Sequence, residues 1–295
     1  MQFPLCVRYR IYIASIAISL LSLVLTGIPA ALAAPLTIMY PGHSAKTDTR
    51  VDYYIKLLDL ALSKTGVQYE LRPNPIPMVP LRVIRNMEDN DGIDVTWGPT
   101  TRELEQRLQP IRIPIDKGIL GWRLFLIKTR DRQLFEDIHS LKQLKPLSAG
   151  QQRYWSDTDI LRANGMNVVD TTGYNSLFDM LAASRFQYFP RGVAEIWGEE
   201  KNHANLGLEV EQHLALHYPS YSYFFVSKKN PTLAATIERG LRAAISDGSF
   251  DKLFDQYNGE SIKRAHLNTR TVFELNNPLI PDELSLQPQK NLLSR

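Results

Sequence analysis

The sequence predicts an α/β protein of two lobes joined by two crossing strands. Short apolar runs alternate with amphipathic helical patterns in βαβα order, which is typical of a largely parallel sheet. Two long extended runs, Gly118–Lys128 and Tyr218–Lys228, bracket a second unit with the same alternation. A chain that crosses out once and returns once builds one lobe from two separate pieces, and its crossing strands can act as a hinge.

The first 33 residues are predicted to be a cleaved signal peptide. Arg8 and Arg10 precede an almost entirely apolar stretch over residues 11–28, and Ala31-Leu32-Ala33 has the small-x-small pattern of a cleavage site. The alternative is an uncleaved membrane anchor, since the stretch approaches the length of a spanning helix. Cleavage removes both arginines, no acidic residue and the single cysteine, Cys6, which lowers the formal net charge from +3 to +1.

The composition of the remaining chain excludes several classes of protein. The 295 residues are 44% hydrophobic and 22% charged, which is globular composition. A nearly neutral chain has no electrostatic footprint for nucleic acid or for anionic lipid. A chain without cysteine forms no disulfide and has no thiol nucleophile. Phosphate-loop, dinucleotide, serine-hydrolase and zinc-protease motifs are absent, so we expect no cofactor and no metal.

Periodicity and chain breakers predict the elements of the first unit. Apolar residues at helical spacing run from Val51 to Leu62, and Gly66 ends that helix. A proline-rich loop separates the second strand from the second helix. In order, we predict strands at 36–40, 67–71 and 93–97, with helices at 50–65 and 81–87.

The same alternation restarts after the first extended run. We predict strands at 147–150, 166–169 and 186–189, helices at 157–163, 174–184 and 193–200, and closing helices at 232–245 and 250–257. The chain from about residue 276 has prolines at 278, 281 and 288 and is predicted to be a surface extension. The predicted organisation is a signal peptide at 1–33, a first lobe of residues 34–117 and 226–271, a second lobe with the hinge strands at 118–225, and a C-terminal extension at 272–295.

Four segments carry a resemblance to a known family. They are Ile93–Trp97 with Thr100-Thr101, Ser140–Lys145 with Ser148–Gln152, Met180–Arg191, and Tyr223–Lys228 running into Asp247–Phe250. Over about residues 36–265, the chain resembles the family-3 extracellular solute-binding proteins, the polar amino-acid type of periplasmic receptor. The resemblance implies the type II periplasmic binding fold, a small polar ligand, a membrane ABC permease as partner, a periplasmic location and a monomer.

Two departures from the family pattern concern the ligand. The position of the family's carboxylate-binding arginine is Leu104, with Arg102 and Arg107 on either side. No aspartate lies near Gly192, where the family's ammonium-binding aspartate falls, and Arg191 and Glu195 are the nearest charges. These departures leave open whether the ligand is an ordinary α-amino acid.

The first unit offers five candidate binding residues. Tyr40 and Trp97 end strands, where ligands of open α/β sheets lie, although both are also typical rim aromatics. Thr100 and Thr101 can present hydroxyl and N–H groups to an anion, or simply cap a helix. Arg102 can grip a carboxylate with its forked guanidinium, or be a solvated helix charge.

The second unit offers a loop after a strand. Its Gln-Gln-Arg-Tyr-Trp sequence combines amide, guanidinium and aromatic groups just before a predicted helix start, with a plain surface loop as the alternative. The candidate ligand-binding residues in this loop are Gln152, Arg153, Tyr154 and Trp155.

Arg191 also follows a strand and begins a predicted helix, so it can contact a ligand together with Glu195. The alternative is an Arg–Glu pair one turn apart on that helix. Arg123 lies in a crossing strand and is interpreted as structural. His213 and His217 are four residues apart. In an extended segment their Cα atoms are about 13 Å apart, which argues against a metal pair.

These observations favour capture of a small polar solute by closure of two lobes, without catalysis. A dehydratase-like enzyme on the same fold is one alternative, and it requires a general acid or base between the lobes, such as Glu195 or a histidine. A sensory binding protein that reports to a signalling partner is the other.

Overall fold

The computed structural model describes residues 35–42 and 51–285, so the predicted signal peptide lies outside the described residues. The described strands are β1 (Leu36–Tyr40), β2 (Tyr69–Pro73), β3 (Val95–Pro99), β4 (Leu108–Ile111), β5 (Trp122–Lys128), β6 (Ser148–Gln152), β7 (Asn167–Thr171), β8 (Tyr188–Gly192), β9 (Leu208–Val210), β10 (Leu214–His217), β11 (Ser222–Ser227) and β12 (Thr271–Glu274). The described helices are α1 (Asp52–Ser63), α2 (Pro80–Asp89), α3 (Arg102–Arg107), α4 (Arg132–Glu136), α5 (Leu141–Leu144), α6 (Ser156–Ala163), α7 (Ser176–Ala182), α8 (Ile196–Asn202), α9 (Pro231–Ser246), α10 (Ser249–Ala265) and α11 (Asp282–Ser285). In these ranges, no helix combines the length and hydropathy needed to cross a bilayer.

The strands pair into two sets that define two α/β lobes, as predicted. The first lobe contains the sheets β1-β2 and β3-β11-β4. The second lobe contains a seven-stranded sheet of order β12-β10-β5-β8-β6-β7, with β9 also paired to β5. This sheet is mixed rather than largely parallel. β6 runs parallel to β7 and β8, whereas β5 runs antiparallel to β8, β9 and β10.

Helices α1 and α9 pack closely in the first lobe. The side chain of Asn230 accepts a hydrogen bond from the Leu233 N–H, and Pro231 occupies the first turn, so α9 starts with a satisfied cap. A Cβ at Gly240 of α9 would lie 1.9 Å from the carbonyl oxygen of Ala61 in α1. Only glycine therefore allows this approach of the two helices.

Strand β5 is the central strand of the second lobe, and all seven of its residues are buried. Strands β8 and β10 flank it on either side. A fully buried strand predicts a nearly continuous apolar run, and the sequence Trp-Arg-Leu-Phe-Leu-Ile-Lys fits that expectation except at Arg123 and Lys128. The charge at Arg123 therefore requires partners in the interior.

Two crossing segments, from β4 to β5 and from β10 to β11, are bonded to each other. The Ile115 N–H donates to the Ser222 carbonyl oxygen at 2.9 Å. The buried carboxylate of Asp116 accepts from the Gly118 N–H at 3.0 Å and from the Ser222 hydroxyl at 2.7 Å. Burial raises the pKa of Asp116 above its ordinary value, although these hydrogen bonds oppose the shift.

The two extended runs predicted from the sequence each combine a crossing segment with a strand. Residues 119–121 form a 3₁₀ turn before β5, and β11 starts only at Ser222. Because β11 pairs with β3 and β4, it lies in the first lobe. The lobe boundaries stay a prediction, and the pairing favours a return to the first lobe near residue 222 rather than 226.

The prediction that the chain beyond about residue 276 is a surface extension is wrong for its described part. Just before it, β12 joins the second sheet in parallel with β10. Ile280 is then only 1% exposed and Leu284 only 3% exposed, and both pack with Met87 of α2 and Phe225 of β11. The prolines predicted a loop correctly, but they contained no information on where that loop docks.

Candidate functional site

Three aromatic side chains of the first lobe form one face of the candidate site, here called the aromatic wall (Tyr40, Tyr54 and Trp97). Tyr40 ends β1 and lies 6.1 Å from the ring of Trp97 in β3. Tyr54, in the first turn of α1, stacks on Trp97 with ring centroids 5.8 Å apart. The carboxyl ends of two strands and the start of a helix therefore converge on one π surface.

Arg191 is the centre of a buried ion-pair network in the second lobe. Its Nε and Nη2 donate to the two carboxylate oxygens of Glu199, both at 2.7 Å. Nη2 also lies 3.0 Å from Oε2 of Glu195. Burial works against the charged guanidinium, but Glu195 and Glu199 outweigh it and raise the pKa of Arg191 above its ordinary value.

Aromatic rings enclose the same guanidinium. The Arg191 carbon Cζ lies 4.6 Å from the ring centroid of Trp155 and 4.9 Å from that of Phe189. The two rings stack on each other with centroids 6.3 Å apart. Cation–π contacts of this kind are strongest where water is excluded, so the rings and the two carboxylates together fix the guanidinium in place.

Arg123 of β5 lies beside this network and keeps one donor open. Its Nε donates to Asp157 at 2.6 Å and to the Tyr218 hydroxyl at 2.7 Å. Its Nη1 is buried and has no hydrogen-bond partner within the described chain. Burial raises the pKa of a carboxyl, but Arg123 outweighs that effect and holds the pKa of Asp157 below its ordinary value.

A glycine makes room beside the open donor. Gly192 is directly opposite Arg123 in the β5–β8 register. A Cβ on Gly192 would lie 3.1 Å from Nη1 of Arg123 and 3.0 Å from Oε2 of Glu195. The guanidinium of β5 and the carboxylate after β8 therefore flank one small space, and any other side chain at position 192 would intrude on it. We call Arg123, Asp157, Arg191, Glu195 and Glu199 the charged wall.

One residue of the aromatic wall, Tyr54, senses charges of the charged wall. Burial raises the pKa of Tyr54, and the negative charges of Asp116 and Glu195 raise it further, while Arg123 opposes them. A first-lobe tyrosine is thus within electrostatic reach of second-lobe groups. This arrangement can bind a small solute whose apolar part meets the rings and whose polar groups meet opposite charges.

The threonine turn has a structural role in the first lobe. Thr100 is buried and donates to Oε1 of Glu105 at 2.7 Å. Thr101 caps α3 by accepting from the Leu104 N–H at 3.0 Å. Arg102 donates through Nη1 to the Ile280 carbonyl oxygen at 2.6 Å, so its guanidinium binds the C-terminal segment. The structure does not bring these three residues to the two walls.

Of the four candidates in the second-lobe loop, only Trp155 contacts a residue of the charged wall, Arg191. Gln152 donates to the Thr172 carbonyl oxygen at 3.4 Å. Arg153 forms an exposed pair with Asp170 at 2.7 Å, and Tyr154 is 75% exposed. The alternative of a surface loop therefore describes most of this segment.

The histidine pair has other partners. His217 ends β10, where its Nδ1 lies 2.6 Å from Oε2 of Glu274 and its ring lies 4.4 Å from that of Trp122. Within residues 35–42 and 51–285, no group of three His, Cys, Asp or Glu side chains is placed to hold a metal ion.

Sequence reasoning missed Arg123, Tyr54, Asp157 and Glu199 as members of the site. The signal for Arg123 was a lone charge in an otherwise apolar run, because a buried arginine requires compensating partners. Tyr54 was assigned only to the apolar face of a helix. Glu199 gave no local signal, since its position relative to Arg191 depends on how α8 follows β8.

Comparison with known proteins adds information at the level of the fold. No protein-family model and no curated protein sequence matches the chain. Among solved structures, a probable amino-acid ABC transporter extracellular-binding protein of Bacillus subtilis is 14% identical, covers 77% of this chain and 100% of its own, and has a TM-score of 0.58. An arginine-specific periplasmic binding protein of Salmonella typhimurium is 15% identical, covers 77% and 100%, and has a TM-score of 0.57. An ancestral amino-acid-binding protein, a precursor of cyclohexadienyl dehydratase, is 14% identical, covers 76% and 95%, and has a TM-score of 0.52.

These likenesses show the fold. The chain has the two-lobed α/β fold of the periplasmic amino-acid-binding proteins, as the sequence predicted. The neighbours include binding proteins and one precursor of an enzyme.

Proposed function

We propose that the protein captures a small polar solute, an amino acid or a related carboxylate, between its two lobes. We further propose that it acts in the periplasm as a monomer and delivers this solute to a membrane ABC permease. The fold shared with amino-acid-binding proteins supports the class of function. The composition of the two walls supports the class of solute.

The open donor of Arg123 is the observation that carries this proposal. A buried guanidinium N–H without an acceptor is costly unless an acceptor arrives. Asp157 and Tyr218 hold the other side of the guanidinium, so its orientation is fixed before binding. A ligand carboxylate is a suitable acceptor, because an arginine–carboxylate bond is charge-assisted. Glu195 on the other side of the Gly192 space is suited to an ammonium or hydroxyl group.

Closure is the proposed mechanism of capture. A ligand that touches the aromatic wall and the charged wall together gains contacts only when the lobes are closed. It therefore stabilises the closed form by differential contact and not by affinity alone. Rotation about the bonded crossing segments supplies the motion.

The test is a thermal-shift titration of residues 34–295 with the twenty L-amino acids and matched carboxylates. A ligand at a hundred times its Kd stabilises by about 2.7 kcal/mol, which raises the melting temperature by about 5–10 °C for a chain of this size. The variant Arg123→Met is expected to lose this response, whereas the control Arg153→Met is expected to keep it. The proposal fails if no compound shifts the wild-type melting temperature.

Mass spectrometry of the added compound separates binding from catalysis in the same samples. A receptor returns the compound unchanged after prolonged incubation. Conversion of a cyclic acid with loss of water would instead identify a dehydratase that uses the carboxylate of Glu195.

A further inference from the structure

The C-terminal segment makes a connection between the lobes that the sequence did not predict. On the second-lobe side, β12 extends the sheet alongside β10, from Leu214 opposite Thr271 to His217 opposite Glu274. The Leu275 N–H continues the ladder by donating to the His217 carbonyl oxygen at 2.8 Å. Phe273 is buried in the core of that lobe. The first anchor is therefore part of the sheet itself.

The segment then runs beside the return crossing. The Asn164 side chain at the end of α6 donates to the Asn276 carbonyl oxygen at 2.7 Å and accepts from the Asn276 N–H at 3.0 Å. The side chain of Asn277 donates to the Pro219 carbonyl oxygen at 2.8 Å. Pro219 lies between β10 and β11, so the C-terminal segment is bonded to the hinge.

The second anchor is on the first lobe, and Arg102 dominates it. The Arg102 N–H donates to the Leu279 carbonyl oxygen at 2.8 Å, and its guanidinium donates to the carbonyl oxygens of Ile280, at 2.6 Å, and Pro278. Arg112 adds an ion pair with Glu283 at 3.1 Å.

Apolar burial completes the same anchor. Ile280 and Leu284 are buried against first-lobe side chains that include Val83 and Tyr221. The Tyr221 hydroxyl also donates to the Leu284 carbonyl oxygen at 3.3 Å.

The free length between the anchors is short. Asn276 is the last residue bonded to the second lobe, through Asn164, and Pro278 is the first bonded to Arg102 of α3. Two residues of fully extended chain span at most about 7 Å. Rotation that separates these two attachment points further than this must break one anchor.

We infer that residues 271–284 are a third hinge strand, which limits how far the lobes open. The second-lobe anchor combines a ladder of backbone bonds with the buried side chain of Phe273. The first-lobe anchor combines the bonds of the half-exposed Arg102 side chain with the buried side chains of Ile280 and Leu284, so loss of the guanidinium weakens this anchor and leaves its apolar part. This inference concerns the extent of opening and holds whatever the solute is.

The test measures opening directly, without ligand. From residue 34 onward the sequence has no cysteine, so Lys56→Cys in α1 and Asp159→Cys in α6 provide one spin-label pair across the lobes. Pulsed electron paramagnetic resonance then gives the distribution of interlobe distances. The variants are Arg102→Ala and a truncation after Asn276 that keeps β12. The control is Arg242→Ala, whose pair with Glu238 lies within α9.

Both variants are expected to broaden the distribution and to add a population at longer distances, while the control matches the wild type. Unchanged distributions in folded variants would overturn the inference. If the truncated chain fails to fold, Arg102→Ala decides the question, because that side chain is half exposed and its loss leaves the apolar contacts in place. Because no ligand is present, the outcome is independent of the proposed solute-binding function.

Discussion

Replacement of Arg191 by methionine is the substitution that tests the charged wall most severely. Methionine keeps the apolar contacts with Trp155 but removes two 2.7 Å bonds to Glu199, which is itself only 5% exposed. Removing one partner of a buried ion pair costs about 3–5 kcal/mol, because it leaves an uncompensated charge. The Tyr174 hydroxyl still donates to Glu199 at 2.7 Å, so we expect the lower end, about 3 kcal/mol.

Urea unfolding followed by far-ultraviolet circular dichroism measures this loss. An m-value equal to that of the wild type shows that the variant exposes the same surface on unfolding, so the two free energies of unfolding can be compared. The corresponding fall in melting temperature is about 6–12 °C. The double variant Arg191→Met/Glu199→Gln should recover more than half of the loss, because the buried carboxylate of Glu199 is gone and the other partner of Arg191, Glu195, is only partly buried. The control Arg242→Ala removes an exposed i,i+4 pair and should cost about 0.5 kcal/mol or less.

The pH dependence of the single variant gives an independent check. A carboxyl buried without its cation has a raised pKa, so the folded variant binds a proton more tightly than the unfolded chain does. Its deficit relative to wild type should therefore shrink as the pH falls from 8 to 5 and grow as the pH rises. A deficit no larger than that of Arg242→Ala, or one independent of pH, would refute the reasoning about a buried ion-pair network.

Two further substitutions test the packing and the hinge. Gly240→Ala places a methyl group 1.9 Å from the Ala61 carbonyl oxygen, so helices α1 and α9 must separate, and urea unfolding should show a loss of about 1–3 kcal/mol. Asp116→Asn removes a buried carboxylate whose pKa is raised. Because that penalty exists only when the carboxyl is ionised, the variant should melt above wild type at pH 8, with the difference vanishing as the pH falls through the ordinary range for aspartate. A variant that melts below wild type throughout that range would contradict this assignment.

The periodicity of the sequence predicted the fold well because the core imposes it. The helix at 52–63 and the fully buried strand β5 have the strongest apolar patterns, and both were predicted. Strand β12 was not predicted, because only one of its four residues is buried and the strand is held by pairing to β10. Short edge strands owe their existence to a neighbour that the local sequence does not reveal.

The sequence predicted part of the candidate site, namely aromatic or charged side chains in or next to predicted strands. Tyr40 ends β1, whereas Trp97 lies within β3 and Arg191 lies within β8 rather than after a strand; all three belong to the two walls. Arg102 begins a helix and was predicted to bind ligand for that reason. Its guanidinium instead donates to the carbonyl oxygen of Ile280, which the local sequence does not reveal. Arg123 owes its place to the register with Gly192, which no local pattern encodes.

The location of Arg123 on β5 has a consequence for the evolution and engineering of this chain. The backbone of β5 is paired with a neighbouring strand on each side, so the guanidinium of Arg123 is attached to a central strand of the sheet. Insertions and deletions in the surrounding loops can then accumulate without moving it. Attempts to alter the proposed solute preference should begin with Gly192, which is paired with Arg123. Even the methyl group of an alanine there would lie 3.1 Å from Nη1 of Arg123 and fill the space beside it.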